Sequence, residues 1–152
     1  MTDRDAKLQA LLREQLSLAR RAAEVLAFSR TRVATEADIT RLAASPEGRE
    51  RLESLTSRYA RLADLLTQQI FRVSDRIELL EEGSIIDRLN RAEKRRWIDS
   101  AERWKEIRLL RNRISHEYAD EAWLAIVRDA WRLTPELLEC VNRASRNSAT
   151  GV

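Results

Sequence analysis

The stretch RLESLTSRYARLADLLTQQIFRVSDRIELL, residues 51–80, decides the fold class of this chain. Its apolar side chains recur at alternating spacings of three and four residues, with one interruption at Gln69: Leu52, Leu55, Tyr59, Leu62, Leu66, Val73, Ile77 and Leu80. Because an α-helix has about 3.6 residues per turn, this spacing places one apolar stripe along a single helix. Such a stripe is typical of near-parallel packing in a helical bundle. We therefore expect one long helix that begins at Ser45-Pro46-Glu47 and ends at Gly83.

On the N-terminal side of this stretch, residues 3–32 predict another long helix. Its apolar residues form one broad stripe: Leu8, Leu11, Leu12, Leu16, Ala19, Ala22, Ala23 and Leu26. Thr35 is a candidate N-cap for a short helix that has Glu36 and Asp38 in its first turn.

On the C-terminal side, Ser84 is a candidate N-cap for a short helix that carries Ile85, Ile86 and Leu89. Asp99 is a candidate N-cap for a helix that continues to Ile114. A last helix from about 120 to 145 should be kinked by Pro135, since proline cannot donate the helical hydrogen bond. Its predicted inner face consists of Trp123, Ile126, Val127, Ala130 and Trp131.

The composition agrees with an all-α protein. The chain has 152 residues with three glycines and two prolines, 43% apolar residues and 35% charged residues. We expect an up-and-down four-helix bundle with one or two extra short helices, as a single domain over 1–146 and a disordered tail over 147–152.

The single cysteine and the hydropathy pattern exclude several classes of protein. One cysteine, Cys140, rules out an intrachain disulfide and a cysteine-built metal site, and its neighbours indicate that it is buried. The N-terminal residues lack the apolar segment of a signal peptide. No apolar run approaches the ~20 residues that span a bilayer. We expect a soluble, cytoplasmic protein with no membrane contact.

Positive charge is concentrated in residues 88–113. This stretch holds ten Lys and Arg but four Asp and Glu, a net charge of +6, whereas the whole chain is +3. A basic stretch is most often a solvated surface, but it also suits a track for an RNA backbone. The candidate RNA-binding residues are Arg95, Arg96, Arg103, Arg108 and Arg113.

The basic stretch leads into Arg111-Asn112-Arg113-Ile114-Ser115-His116-Glu117-Tyr118, which contains the only histidine. A lone histidine near a helix end is usually structural or solvated. Histidine is nevertheless the side chain best suited to carry a proton at neutral pH. An arginine can bind a phosphate through its planar, charged fork. Asn112 and Tyr118 add hydrogen-bonding groups, and the set fits phosphodiester chemistry without a metal or other cofactor.

Helix geometry restricts how these side chains can meet. At about 100° per residue, Arg111 and His116 would lie about 140° apart on a regular helix. Either the helix ends near His116, or another chain completes the site. Cleavage of RNA by its 2′-hydroxyl needs one group that takes a proton and one that gives a proton. Two histidines across a two-fold axis supply both, so we expect a homodimer or a higher assembly of dimers.

At these residues the sequence resembles the HEPN superfamily, and most closely its HepT-like toxins. Arg111, His116 and Tyr118 match the family motif R-x4-H-x-Y, and Asn112 matches the polar residue that follows the arginine. The basic helix before the motif and the proline-containing helix after it also resemble the family.

The resemblance implies a metal-independent endoribonuclease toxin whose two motifs line one cleft of a dimer. It implies that His116 is the general acid or base, that Arg111 stabilises the phosphorane, and that Asn112 orients the phosphate or the histidine. It also implies a partner, a minimal nucleotidyltransferase antitoxin that silences the toxin by transferring AMP to Tyr118.

Two other interpretations stay open. The chain can be a non-catalytic HEPN subunit that holds a substrate or nucleotide for a minimal nucleotidyltransferase through Arg111 and Tyr118. It can also be a plain helical adaptor in which the motif occurs by chance.

Overall fold

The computed structural model describes residues 1–80, 82–116 and 119–149, and within them every regular element is helical. The elements are α1 (Asp3–Thr31), α2 (Asp38–Ala43), α3 (Pro46–Asp64), a π-helical segment (Leu65–Ile70), α4 (Phe71–Ile77), α5 (Ile85–Lys94), α6 (Ala101–Ile114) and α7 (Asp120–Ala149). The predicted all-α class is confirmed.

Side-chain contacts give the direction of each main helix. Gln15 of α1 bonds to Gln69, whereas Arg58 of α3 bonds to Ser29 near the other end of α1, so these two helices are antiparallel. Arg20 bonds to Ser145 and Arg30 to the carbonyl of Trp131, which makes α7 antiparallel to α1. The Arg103–Glu136 and Arg113–Asp129 pairs make α6 antiparallel to α7. Four long elements thus alternate in direction, as expected for an up-and-down bundle, with α2 and α5 as the short helices.

The helix α3 lies at the centre of the bundle, in contact with α1, α2, α6 and α7. Its Leu52, Leu55, Tyr59 and Leu62 are fully buried. The Tyr59 hydroxyl donates to the carbonyl of Ile107 in α6 at 3.2 Å, so this large side chain is buried without an unsatisfied polar atom. The predicted inner faces of α1 and α7 and the burial of Cys140 are confirmed.

The interruption at Gln69 corresponds to a change of helix type. Residues Leu65–Ile70 form a π-helix, which inserts an extra residue into the helical turn. This insertion shifts the inner face, so that Ile70 and Phe71 are fully buried while Gln69 is exposed and accepts from Gln15. Phe71 then packs against Trp104 of α6, with ring centroids 5.5 Å apart. The expected single α-helix is therefore divided by a π-helical segment at the point where the apolar pattern is interrupted.

The predicted end of this long helix was also wrong, since α4 ends at Ile77 rather than at Gly83. Leu79 adopts a left-handed backbone with φ of 61°, and the Leu80 N–H donates to the carbonyl of Asp75 at 2.8 Å. These bonds close the helix end as a Schellman motif does, although glycine usually occupies the left-handed position. Leu80 is consequently 45% exposed instead of extending the apolar stripe.

Of the predicted caps, Ser45 and Ser84 are confirmed and two others were wrong. Ser45 accepts from the Gly48 N–H, and Ser84 from the Asp87 N–H. Helix α6 is capped by Ser100, which accepts from the Arg103 N–H, because the carboxylate of Asp99 instead bonds to Arg143.

The Thr35 cap was the second wrong one. Helix α2 begins only at Asp38, and it has no side-chain cap. The Asp38 carboxylate reaches back to accept the N–H of Thr35 at 3.0 Å, so Thr35 belongs to the turn that precedes the helix.

Helix α7 continues through Pro135 to Ala149, three residues beyond the predicted end of the domain at residue 146. Pro135 has no N–H to donate to the carbonyl of Trp131 one turn earlier. The Nε of Arg30 in α1 donates to that carbonyl at 2.8 Å, and its guanidinium lies 4.1 Å from the centroid of the Trp131 ring. A residue of α1 therefore satisfies the carbonyl that proline leaves unpaired.

None of the helices in the described residues is long and apolar enough to cross a membrane.

The contact between Arg30 and the Trp131 carbonyl predicts a stability coupling with Pro135. Arg30→Met should lower the free energy of unfolding by about 1–3 kcal/mol, because a half-buried carbonyl loses its donor. In a Pro135→Ala background the same substitution should cost less, since alanine has the N–H that proline lacks and can donate it to the Trp131 carbonyl within the helix. Urea denaturation of the four proteins measures the difference. Equal costs in both backgrounds would show that Arg30 acts only through the tryptophan ring.

Candidate functional site

A cleft of about 860 Å³ lies between α3 and the junction of α6 with α7. Its lining includes Arg111 and His116 of the predicted motif. Its lining residues come from α3, from the end of α6 and from the first turn of α7: Arg49, Glu53, Thr56, Ser57, Ala60, Arg61, Asp64, Arg111, Ile114, Ser115, His116, Asp120 and Trp123.

The end of helix α6 brings Arg111 and His116 to the same cleft. The helix stops at Ile114, and the His116 N–H donates to the carbonyl of Arg113 at 3.1 Å, a tighter turn than an α-helix makes. His116 therefore lies beyond the regular helix, and the separation of about 140° does not apply to it. Of the two possibilities left open by helix geometry, a helix that ends near His116 is the observed one.

Arg111 is held in place by two partners. Its Nε donates to Oδ1 of Asp64 in α3 at 2.8 Å, and Nη1 donates to the hydroxyl of Ser115. The hydrogen bond that Arg111 donates to the Asp64 carboxylate raises the pKa of the guanidinium, so Arg111 stays charged. Asp64 and Ser115 thus orient the arginine, and an incoming anion would compete with the Asp64 carboxylate for the guanidinium.

The cleft is balanced in charge. Arg49, Arg61 and Arg111 contribute three positive charges, and three carboxylates face them from the same lining: Glu53, Asp64 and Asp120. A balanced cleft does not attract a polyanion through net charge alone. Any phosphate that binds here must compete with Asp64 for Arg111.

The remaining motif residues are placed differently. Asn112 is exposed on α6 and is not part of the cleft lining. Tyr118, the predicted acceptor of AMP, lies outside the described residues.

The five predicted RNA-binding arginines do not form one continuous track. Arg95 has a side chain only 11% exposed and bonds to Asp75 and Glu78, so it holds α5 against α4. Its neighbour Arg96 lines a separate cleft with Arg143 and Arg146.

The other three of these arginines lie on α6. Arg103 and Arg113 line the groove between α6 and α7, where they pair with Glu136 and Asp129. Arg108 is half-buried. The basic stretch of sequence is therefore divided among several surfaces. Within the described residues, five of its ten Lys and Arg residues pair with carboxylates of other helices or their ends.

Asp64 and Arg49 were not among the site residues predicted from the sequence. Both lie on α3, more than forty residues before the motif, and no local pattern distinguishes them from the other charged residues of that helix. Trp123 was assigned to the inner face of α7. It is half-buried at the edge of the core, with the Arg49 guanidinium 4.5 Å from the centroid of its ring.

No family model, curated protein or solved structure matches this chain. The resemblance to the HEPN superfamily consequently depends on the motif and on its position before the last helix. Among the described residues, no group of three or more His, Cys, Asp or Glu side chains is arranged to hold a metal ion.

The contact between Asp64 and Arg111 predicts that Asp64 limits anion binding. In Asp64→Asn, Arg111 loses its negative partner, and added inorganic phosphate should raise the melting temperature more than in the wild type. The substitution itself should cost at most about 1 kcal/mol, since the pair is partly exposed.

Glu53→Gln is the matched control, because it removes one negative charge from the same lining and has no bond to Arg111. Thermal unfolding over a phosphate series checks the prediction. If the two variants respond equally to phosphate, net charge rather than the contact with Arg111 governs anion binding.

Proposed function

We propose that this protein is a HEPN-type endoribonuclease that acts without a metal ion, as the toxin of a toxin–antitoxin pair. The observation that carries the proposal is the presence of Arg111 and His116, at the motif spacing, in one cleft of a single chain. These residue types are a proton carrier and a fixed cation, and RNA cleavage by internal attack requires both.

The proposed reaction breaks the bond between phosphorus and the 5′-oxygen of the next nucleotide. The 2′-oxygen loses its proton to a base and attacks phosphorus, which produces a phosphorane with two negative oxygens. Arg111 would stabilise this charge with its guanidinium. The 5′-oxygen leaves with a proton from an acid, so the products are a 2′,3′-cyclic phosphate and a 5′-hydroxyl end. His116 would supply one of the two proton transfers.

The second proton transfer is the reason to propose a dimer. The chain has one histidine, and a second copy related by a two-fold axis would contribute another. Helix geometry does not require a second chain, because Arg111 and His116 of one chain already line the same cleft. The homodimer, or a higher assembly of dimers, therefore rests on the requirement for two proton carriers.

A second function is favoured by the charge balance of the cleft. With Arg111 occupied by Asp64, the cleft suits one nucleotide better than a long polyanion. The alternative proposal is a non-catalytic HEPN subunit that holds a nucleotide or substrate for a minimal nucleotidyltransferase.

Regulation by a partner is also part of the proposal. We propose that a minimal nucleotidyltransferase antitoxin transfers AMP to Tyr118, two residues after His116. The transfer would form a phosphodiester between the tyrosine oxygen and the α-phosphate of ATP, with pyrophosphate as the leaving group. A bulky anion at this position would exclude an RNA phosphate.

The assignment of His116 and Arg111 predicts loss of RNA cleavage in His116→Ala and Arg111→Ala. Loss of the proton carrier should lower the cleavage rate by a factor on the order of 10²–10⁴. Arg41→Ala, an exposed arginine of α2 outside the cleft, should retain wild-type activity. Cleavage is measured on labelled RNA in buffer with EDTA. Wild-type cleavage by His116→Ala would remove the catalytic assignment.

Mixed dimers test the second proton transfer in the same assay. Dimers of one wild-type and one His116→Ala chain should be strongly impaired if both histidines serve one phosphate. Light scattering that finds a fully active monomer would exclude a shared site.

The proposed regulation predicts that the partner enzyme adds the mass of AMP to the wild type and not to Tyr118→Phe. The modified protein should lose RNA cleavage, because the new phosphodiester anion would cover the substrate site. Tyr118→Phe should keep at least part of its cleavage activity, since the phenol carries no proton in this reaction. Intact-mass spectrometry is the measurement. Adenylylation that persists in Tyr118→Phe would place the switch on another residue.

A further inference from the structure

Arg49 and Trp123 form a stack on the wall of the candidate cleft. The guanidinium carbon of Arg49 lies 4.5 Å from the centroid of the Trp123 ring, and both residues line the cleft with Arg111 and His116. Arg49 comes from the first turn of α3 and Trp123 from the first turn of α7, so two separate helices bring the pair together.

The other arginine–tryptophan pair that is part of a helix–helix contact shows what a structural stack looks like. Arg30 lies over Trp131, bonds to the Trp131 carbonyl, and the indole N–H donates to the carbonyl of Val33 at 2.9 Å. Those bonds join α1 to α7 beside Pro135. That stack thereby satisfies the carbonyl freed by the proline, which is a structural task.

The Arg49–Trp123 stack is much less constrained. Among the described residues, the Arg49 guanidinium contacts the Trp123 ring and, at 3.6 Å, a carboxylate oxygen of Asp120. Asp120 has a side chain 83% exposed, and such a surface ion pair contributes little to stability. The Arg49 side chain is itself 40% exposed and lines the cleft, so part of it is accessible to a ligand there.

We propose that the Arg49–Trp123 stack binds a nucleobase of single-stranded RNA in this cleft. The inference rests on the proposed function, since it names the part of the substrate that the same cleft would hold. Unpaired bases stack on aromatic rings and on arginine guanidinium planes, and each stacked base contributes substantially to affinity.

The charge balance of the cleft makes base stacking important for RNA binding. Three arginines face three carboxylates, so net charge supplies little attraction for an RNA strand. A stacked base adds affinity that does not depend on net charge, and it would hold the strand in the cleft that Arg111 also lines. The cleft volume of about 860 Å³ lies in the range of pockets that enclose a ligand of nucleotide size.

Stacking has a recognisable signature in base preference. Every base presents a flat face, so the site should accept all four bases, with the larger purines bound more tightly. A site that reads hydrogen-bonding edges would instead discriminate sharply between bases of equal size.

The test is direct binding of a hexaribonucleotide with 2′-O-methyl groups, which cannot be cleaved by 2′-hydroxyl attack. Fluorescence anisotropy of the labelled strand measures affinity for the full-length protein. The variants are Trp123→Ala, Trp123→Phe and Arg49→Lys, with Trp131→Phe as the control on the structural stack. A hexamer of abasic sugar phosphates reports the contribution of the backbone alone.

Trp123→Ala should weaken binding by a factor of about 5–150, whereas Trp123→Phe should stay within about threefold of the wild type. Arg49→Lys keeps the positive charge but lacks the planar guanidinium group. It should therefore weaken binding of the base-containing strand and leave the affinity for the abasic strand unchanged. Thermal unfolding shows whether each variant is folded. If Trp123→Ala is not folded, Arg49→Lys alone tests the proposal.

Two outcomes would overturn the proposed base binding. One is wild-type affinity in both Trp123→Ala and Arg49→Lys, and the other is equal affinity of the wild type for the base-containing and abasic strands. Parallel cleavage assays on unmodified RNA separate this inference from the proposed function. If the variants bind and cleave RNA as the wild type does, the base-binding role of the stack is wrong and the ribonuclease proposal still holds. If the protein binds the base-containing strand more tightly than the abasic strand but cleaves no RNA, the base-binding role of the stack is supported and the ribonuclease proposal is wrong.

Discussion

Burial of the inner face of α3 is the constraint on which the rest of this structure depends. This helix contacts α1, α2, α6 and α7, and its large side chains at positions 52, 55, 59 and 62 are fully removed from water. Fully burying an aliphatic or aromatic side chain contributes roughly 1.5–3 kcal/mol, so these four side chains together contribute on the order of 10 kcal/mol of favourable burial.

Because its inner face is fixed in this way, the outward edge of α3 has a defined orientation. Arg49 and Asp64 lie at this edge, opposite the end of α6 and the start of α7. The cleft is thus a consequence of core packing, since one of its walls is formed by α3, the helix at the centre of the bundle.

The contact of Arg111 with Asp64 links packing to chemistry. A guanidinium on the last turn of α6 is oriented by a carboxylate from α3, so the position of the cation follows the position of the core. The same carboxylate makes the arginine less available to phosphate. For a ribonuclease, this arrangement would keep the cation in place in the absence of substrate and require RNA to displace Asp64. The affinity for RNA would then come from contacts other than net charge, which is the reason that the Arg49–Trp123 stack matters.

The local sequence determined the helices, because the pattern of apolar residues is a property of each segment alone. Residues 51–80 predicted a helical stretch of the bundle, which the structure contains as α3, the π-helical segment and α4, with an earlier end than predicted. The stripes of α1 and α7 predicted their buried faces, which the structure confirms. The serine caps at Ser45 and Ser84 were readable for the same reason, since each bonds within one turn. The motif also identified His116 and Arg111 as a pair from spacing alone.

The tertiary structure decided what depends on contacts between distant segments. No glycine or proline marks the π-helical segment at 65–70 or the left-handed Leu79. Packing against other helices outweighs local preference there, so the sequence alone does not predict these two features. Asp99 has the residue type of a cap, yet Arg143 of α7 binds its carboxylate instead. The basic stretch was evident in the sequence, whereas its partial neutralisation by carboxylates of other helices was not. Arg49, Asp64 and Trp123 became site residues only because folding brings α3 against the junction of α6 and α7, a proximity that no local pattern contains.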